Sequence, residues 1–180
     1  MSSIEPVRDP LVIIVMGVSG CGKSTVAQFL SQRLKGHFKD GDELHPQSNI
    51  DKMAAGIPLS DDDREPWLLD VAQYASEQAS KHGICVIACS ALKSSYRDIL
   101  NQAGQLVYVF LEGSQELIAT RMHSRTGHFM PETLLASQFA TLEDPRTEDN
   151  VVSVSINPTP EQIADNAVLA LRGKGCIAHI

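Results

Sequence analysis

The chain has 180 residues, 43% of them apolar and 21% charged, which is enough for one well-packed domain and argues against disorder. A formal net charge of −7 argues against a broad nucleic-acid surface, because phosphate backbones demand a surplus of Lys and Arg. No apolar stretch approaches the roughly 20 residues that cross a bilayer. The opening "MSSIEPVRDP" has acids and prolines where a secretion signal has basic and then apolar residues, so a cytoplasmic location is expected.

The first predicted element is a strand over 11–16, LVIIVM, whose unbroken apolar character suits burial on both faces. A helical pattern covers 23–35, and a short strand at 37–39 precedes Asp40-Gly41-Asp42. Helices are expected over 46–55, opening at Pro46, and over 65–82, with Asp61, Asp62 and Asp63 before its start and Gly83 at its end. The apolar run 84–89 holds Cys85 and Cys89, read as buried thiols; their spacing has no partner pair that would make a zinc site. Next come a helix over 92–103, a strand over 106–111, a helix over 114–124 and a strand over 151–156. The last helix starts with Thr159 as cap, Pro160 in the first turn and Gln162 completing a capping box. Such alternation, with no repeat or linker, implies a single α/β domain around a parallel sheet. Ligands of these sheets collect beyond the carboxyl ends of the strands.

Between the first strand and helix lies Gly17-Val18-Ser19-Gly20-Cys21-Gly22-Lys23-Ser24, matching G-x-x-x-x-G-K-[ST] at every fixed position. Glycines let backbone N–H groups turn inward as a nest for anionic oxygens, with the helix N-terminus behind them. Lys23 then reaches the β- and γ-phosphates, and the Ser24 hydroxyl ligates Mg²⁺. Nucleotide contacts are expected from Gly17 through Thr25. The alternative, a glycine turn with an incidental lysine, does not require a strand before and a helix after. Cys21 sits among these amides, where positive potential would lower a thiol pKa. Its alternative reading is a small residue that merely fits; alkylation is expected to block the site, with ATP protecting.

Phosphate loops serve switches, motors and kinases. A GTPase would show N-K-x-D and D-x-x-G, and neither occurs. Motor ATPases usually end a hydrophobic strand in an acid, whereas "CVIACSALK" ends in Ser90. The carboxylates of Asp40-Gly41-Asp42 fall at a strand's carboxyl end beside the loop. One would support Mg²⁺ and the other accept a proton from an attacking hydroxyl. The alternative is an Asx-type surface turn.

The motifs "MGVSGCGKST", "DGDELHPQSNIDKMAAGIPLSDDDREPWL", "CSALKSSYRD" and "RTGHFMPETLLASQFATLEDP" together extend from about residue 11 to 157. Through them the chain resembles the phosphate-loop gluconokinases of bacteria and eukaryotes. The resemblance implies a three-layer α/β/α P-loop kinase fold with a mainly parallel five-stranded sheet and a helical lid. It implies ATP and Mg²⁺ as cofactors, D-gluconate as the small molecule phosphorylated on its 6-hydroxyl, and a homodimer. No nucleic-acid or membrane partner is expected.

Gluconate is a chain of hydroxyls ending in a carboxylate, so its site needs cations, mixed donors and acceptors, and a base. The segment after Asp42 supplies His45, Asn49 and Lys52, and "DDDREPW" supplies Arg64. "CSALKSSYR" supplies Lys93, Tyr96 and Arg97; on a helix Lys93 and Arg97 share a face and suit a carboxylate clamp, the alternative being a solvated basic stripe. Arg64 is the first choice for the carboxylate. His45 reads equally as a loop histidine, Asp61 to Asp63 as capping acids, and Trp67 as packing.

Residues 121–146 form a long insertion read as a lid, with Arg121, Arg125, His128 and Arg146. A closing arginine stabilises the charge spread over the transferring phosphoryl group while water is excluded. Arg125 is the first candidate and Arg121 the second, a surface salt bridge being the alternative for either. His128 and Phe129 are expected over the acceptor, and adenine between the lid's return and the loop after residue 156. In the resulting mechanism Mg·ATP sits on residues 17–25, Asp42 draws the proton, Asp40 supports Mg²⁺, and Lys23 with Arg125 stabilises the moving group. The competing readings are a kinase for shikimate, a nucleoside monophosphate or another sugar acid, and a nucleotide-dependent binding protein without transfer activity.

Overall fold

The computed structural model describes residues 9–123 and 132–177. The strands are β1 (Leu11–Met16), β2 (His37–Asp40), β3 (Ile84–Ala88), β4 (Leu106–Glu112) and β5 (Val151–Ser155). They form one sheet in the order β2-β3-β1-β4-β5, and every pairing is parallel. The helices are α1 (Lys23–Leu34), α2 (Gln47–Ala54), α3 (Asp61–His82), α4 (Ser94–Leu100), α5 (Gln115–His123), α6 (Glu132–Thr141) and α7 (Pro160–Gly173).

The central strand explains the layering. β1 is buried at every position. Leu11, Ile13 and Val15 enter one apolar cluster with Leu30 of α1 and Ala164 of α7. Val12, Ile14 and Met16 enter the opposite cluster with Leu68 and Val71 of α3. Side chains alternate across a strand, so a continuous apolar run is what two covered faces require. Truncating one such residue, as in Ile13→Ala, costs about 2–5 kcal/mol. Cys85 and Cys89 lie in the α3 cluster as expected, their thiols pushed up to about 12 by burial.

Two helices depart from their patterns. α3 starts at Asp61 and not at 65, because Ser60 and Asp63 form a capping box: Asp63 N donates to Ser60 Oγ at 3.1 Å and Ser60 N to Asp63 Oδ2 at 2.9 Å. Pro66 removes the N–H for the Asp62 carbonyl and crowds it with its ring, a cost that the box offsets together with burial of Trp67, Leu68 and Val71. α4 starts at Ser94, since Lys93 is extended at φ −96° and ψ 146°, and residues 101–103 continue as a 3-10 turn. α7 opens with the expected Thr159–Gln162 box.

Among the described residues no helix is long and apolar enough to cross a membrane. Parallel register brings three loops to one sheet edge: residues 17–22 after β1, the 3-10 turn Gly41–Leu44 after β2, and residues 89–93 after β3.

Candidate active site

Steric necessity places the glycines after β1. A Cβ on Gly17, at φ 149°, would lie 2.9 Å from Cys21 Sγ, and one on Gly20, at φ 83°, would lie 2.5 Å from Sδ of Met122. Gly17 N donates to the Ser90 carbonyl at 3.3 Å, tying the loop to the end of β3. Lys23 Nζ donates to the Val18 carbonyl at 3.0 Å, which lays the ammonium across the loop. Ser19, Gly20, Gly22, Lys23, Ser24 and Thr25 line a cleft whose other wall includes Asp40, Asp42 and Ser90. Glycine-turned backbone, a helix N-terminus and one ammonium on a single cleft make an anion cradle.

Val18 and Cys21 turn into the core instead, 2% and 4% exposed, so only their backbone belongs to the loop. The expected activation of Cys21 is corrected: burial pushes its thiol above the ordinary value and outweighs the opposing pull of Lys23. A buried, protonated thiol is a poor target for alkylation.

The two carboxylates across the cleft are held differently. Asp40 accepts from Ser24 Oγ through Oδ2 at 2.7 Å and from Asp42 N through Oδ1 at 3.0 Å. A hydroxyl and an oriented carboxylate beside an anion cradle suit Mg²⁺, which takes one or two protein oxygens and completes its shell with water and phosphate. Asp42 exposes 85% of its side chain to the cleft. Its carboxyl is raised, first by desolvation against the cleft walls and then by the charge of Asp40, against weaker pulls from His45 and Lys23. Exposure limits the size of this shift, and the charge of Asp40 supports its direction.

Asp42, Ser19 and Ser90 also line a second, adjoining cavity that reaches His45, Arg64, Trp67 and Tyr96. His45 stacks on Trp67 with ring centroids 4.1 Å apart, and Trp67 Nε1 donates to the Gly41 carbonyl at 2.8 Å. Trp67 therefore packs, as expected, and walls the cavity too. Arg64 Nη1 donates to the Leu59 carbonyl at 2.7 Å and to the Tyr96 hydroxyl at 3.3 Å. Lys93 Nζ lies 3.1 Å from both Asp61 oxygens and 5.5 Å above the Tyr96 ring. The Tyr96 hydroxyl donates to Asp61, and this contact, followed by Lys93, holds the Asp61 carboxyl below its ordinary value. Among the described residues Arg64 is the cation on this cavity wall, and it suits an anionic acceptor.

Other expected contacts lie elsewhere. Lys93 caps α4 from outside, so it does not share a helix face with Arg97. Arg97 is 1% exposed: Nε donates to Glu148, Nη1 to the carbonyls of Ala91 and Leu92, and Nη2 to that of Glu143. It fastens the loop after β3 to the segment after α6 and offers no clamp. Asn49, 2% exposed, lies under His45 and not on the cavity wall, and Lys52 pairs with Asp63 at 2.8 Å. Arg121 donates to the carbonyls of Ile156 and Asn157, on the loop expected to border adenine. Arg146 pairs with Asp144 and Glu112. Arg125, His128 and Phe129 lie outside the described residues.

Two cleft residues escape sequence reading. Ser90 acts through its carbonyl, which no residue type reveals. Gln138 Oε1 accepts from Ser19 N at 2.6 Å across 119 residues of chain. Its only signal is an amide within the otherwise apolar or small run LLASQFA.

Comparison with known proteins agrees with this geometry. Residues 19–171 match the family model described as Shikimate kinase. The chain is 46% identical over 166 residues to the thermosensitive gluconokinase of Escherichia coli, covering 88% of each. A crystal structure of a gluconokinase from Sinorhizobium meliloti aligns with TM-score 0.82 and 48% identity, covering 92% of this chain and 94% of that one. A shikimate kinase from Aquifex aeolicus, 18% identical, aligns with TM-score 0.63 over 91% of this chain and 98% of its own, and shares the fold. The architecture is thus the three-layer α/β/α fold of P-loop kinases. The chain belongs to the shikimate kinase family in the broad sense of that model and, within it, to the gluconokinases.

Proposed function

We propose that this chain transfers the γ-phosphoryl group of ATP to the primary 6-hydroxyl of D-gluconate. The observation that carries the reading is the meeting of two cavities at Ser19, Asp42 and Ser90, one walled by an anion cradle and the other by polar donors and the Arg64 guanidinium. Membership among the gluconokinases supports the same acceptor.

In this mechanism the phosphates lie along residues 17–25, and Lys23 exchanges the Val18 carbonyl for β- and γ-oxygens. The Ser19 amide likewise exchanges Gln138 for a phosphate oxygen. Arg64, with Lys93 behind Tyr96, holds the gluconate carboxylate. Asp42 takes the proton of the 6-hydroxyl as its oxygen bonds to the γ-phosphorus; the bond to the bridging oxygen breaks and its electron pair leaves with ADP. Ser24 and Asp40 would hold Mg²⁺, which would supply charge neutralisation to the phosphates. The family resemblance assigns Arg121 and Arg125 to the nucleotide and His128 to the acceptor.

The reading takes the whole chain as one kinase unit with residues 121–146 as its lid. It extends to a cytoplasmic homodimer serving gluconate utilisation and the pentose phosphate pathway, on the strength of the family resemblance. The test is acceptor-dependent ADP release with gluconate beside shikimate, nucleoside monophosphates and other six-carbon acids. Turnover led by gluconate is expected. Preference for another acceptor would reassign the substrate, and ATP binding with no stimulated release would favour a binding protein.

A further inference from the structure

The protonation of His45 can be deduced from its neighbours. Asn49 Nδ2 lies 3.0 Å from the Asp63 carbonyl oxygen and 3.2 Å from His45 Nδ1. A carbonyl oxygen only accepts, so the Asn49 atom facing Asp63 is the amide nitrogen; the flipped side chain would set two oxygens against each other. The second hydrogen of that nitrogen points at His45 Nδ1, which must therefore present a lone pair. The ring's proton then resides on Nε2. An imidazolium would oppose N–H to N–H, and burial, the leading influence on His45, also lowers its pKa.

The ring has little freedom to turn. Its side chain is 5% exposed, and its plane lies within 15° of Trp67, which is itself pinned to the Gly41 carbonyl. Nε2 sits 3.9 Å from Asp42 Oδ1, beyond hydrogen-bond distance, so this N–H remains available on the cavity shared with Asp42.

We propose that Asn49 is a positioning residue that locks His45 as the Nε2–H tautomer, making His45 an obligatory donor to a hydroxyl oxygen of the acceptor beside Asp42. Donor and base then bracket the reacting end of a polyol: one side chain donates to an oxygen and the other takes a proton. The inference rests on the gluconate kinase reading for its acceptor and on the Asn49–Asp63 contact for its tautomer.

The test has two arms. Nitrogen–proton correlation spectra of the imidazoles in the full chain at neutral pH, with the His45 signal identified by its loss in His45→Gln, should place the proton on Nε2. Asn49→Leu, where it folds, should let the Nδ1–H form appear beside the Nε2–H form that a free imidazole already favours. A proton on Nδ1, or an even mixture in the wild type, overturns the proposal.

The second arm is kinetic and compares two amides. A Gln side chain can place an N–H near the Nε2 position, whereas Asn reaches only the Nδ1 position. His45→Gln should retain part of the kcat/KM for gluconate, while His45→Asn should lie about tenfold or more below it, on the scale of one donor hydrogen bond. KM for ATP should hold in both. Equal losses for the two variants would overturn the donor role. The spectra need no acceptor, so an Nε2–H tautomer in a chain that fails to phosphorylate gluconate would sink the functional reading and leave the Asn49 lock standing.

Discussion

The two sides of the cleft are built in different ways. The phosphate side is one contiguous stretch, residues 17–25, and works through backbone that glycines free to turn. The acceptor side gathers His45 from the turn after β2, Arg64 and Trp67 from α3, Tyr96 from α4 and Gln138 from α6. A backbone cradle depends on conformation and tolerates many side chains; an assembled wall depends on each side chain and on whatever holds its element. Substitutions at the second side should therefore separate acceptor from nucleotide.

The largest expected effect is at their junction. Asp42→Asn keeps size and hydrogen-bonding but removes the base, and should lower kcat roughly 10²–10⁴-fold while ATP binding persists. The wild-type rate should fall as the pH drops through a point above the ordinary carboxylate value, because cleft desolvation and Asp40 raise Asp42. Near-normal turnover by folded Asp42→Asn would dismiss the base and leave the cleft with positioning alone.

Arg97 comes next, as a buried fastener behind the acceptor wall. Arg97→Met leaves Glu148 without its cation and takes a donor from the carbonyls of Ala91, Leu92 and Glu143, of which Leu92 keeps the Glu143 amide at 2.8 Å. Removing one partner of a buried pair costs about 3–5 kcal/mol, with the low end apt here since Glu148 keeps 29% of its side chain exposed. A fall in urea midpoint equal to that loss divided by the m-value is expected, with KM for gluconate little changed in the folded fraction. A stable variant whose gluconate KM alone rises would restore Arg97 as a clamp.

This contrast shows what could be read in advance. β1 and its loop were legible because burial on both faces, glycine turns and Lys23 each leave a local mark. Asp40 and Asp42 were legible by position after β2. Arg97 and Asn49 were misassigned because residue type does not reveal burial: five donors and a carboxamide look functional until their partners are known. Those partners, residues 91, 92, 143 and 148 for Arg97 and the Asp63 carbonyl for Asn49, are supplied by tertiary structure. For Cys21 the reading as a small residue that merely fits is the one that holds: its neighbours in sequence suggest positive potential, but its side chain faces the core.

On the acceptor wall itself, Arg64→Met should raise KM for gluconate about tenfold to a hundredfold, the scale of a charged hydrogen bond left unpaired, and leave KM for ATP within about twofold. Arg64→Lys should recover part of the loss, since Lys keeps the charge without the planar fork. An equal rise in both constants would mean that α3 had shifted and would blur the division between the two sides.

The smallest effect concerns what holds α2 against α3, the pair that carries Asn49 and Arg64. Lys52 bonds both oxygens of Asp63, at 2.8 and 2.9 Å, and with the Ser60 amide and hydroxyl it holds that carboxyl at about 2. A carboxyl lowered in the folded state stabilises it fully above the unfolded value of about 4, and this contribution fades as the pH falls toward 2. Asp63→Asn keeps an oxygen for the Ser60 amide but loses the charge, so its urea midpoint should trail the wild type most above about pH 4. The gap should narrow on acidification, and a modest gap is expected for a single, partly exposed pair. Above pH 4 the variant should also raise KM for gluconate more than KM for ATP, because the link supports only the acceptor wall. A gap that stays constant with pH would mean that the Lys52–Asp63 contact holds the two helices by shape and not by charge.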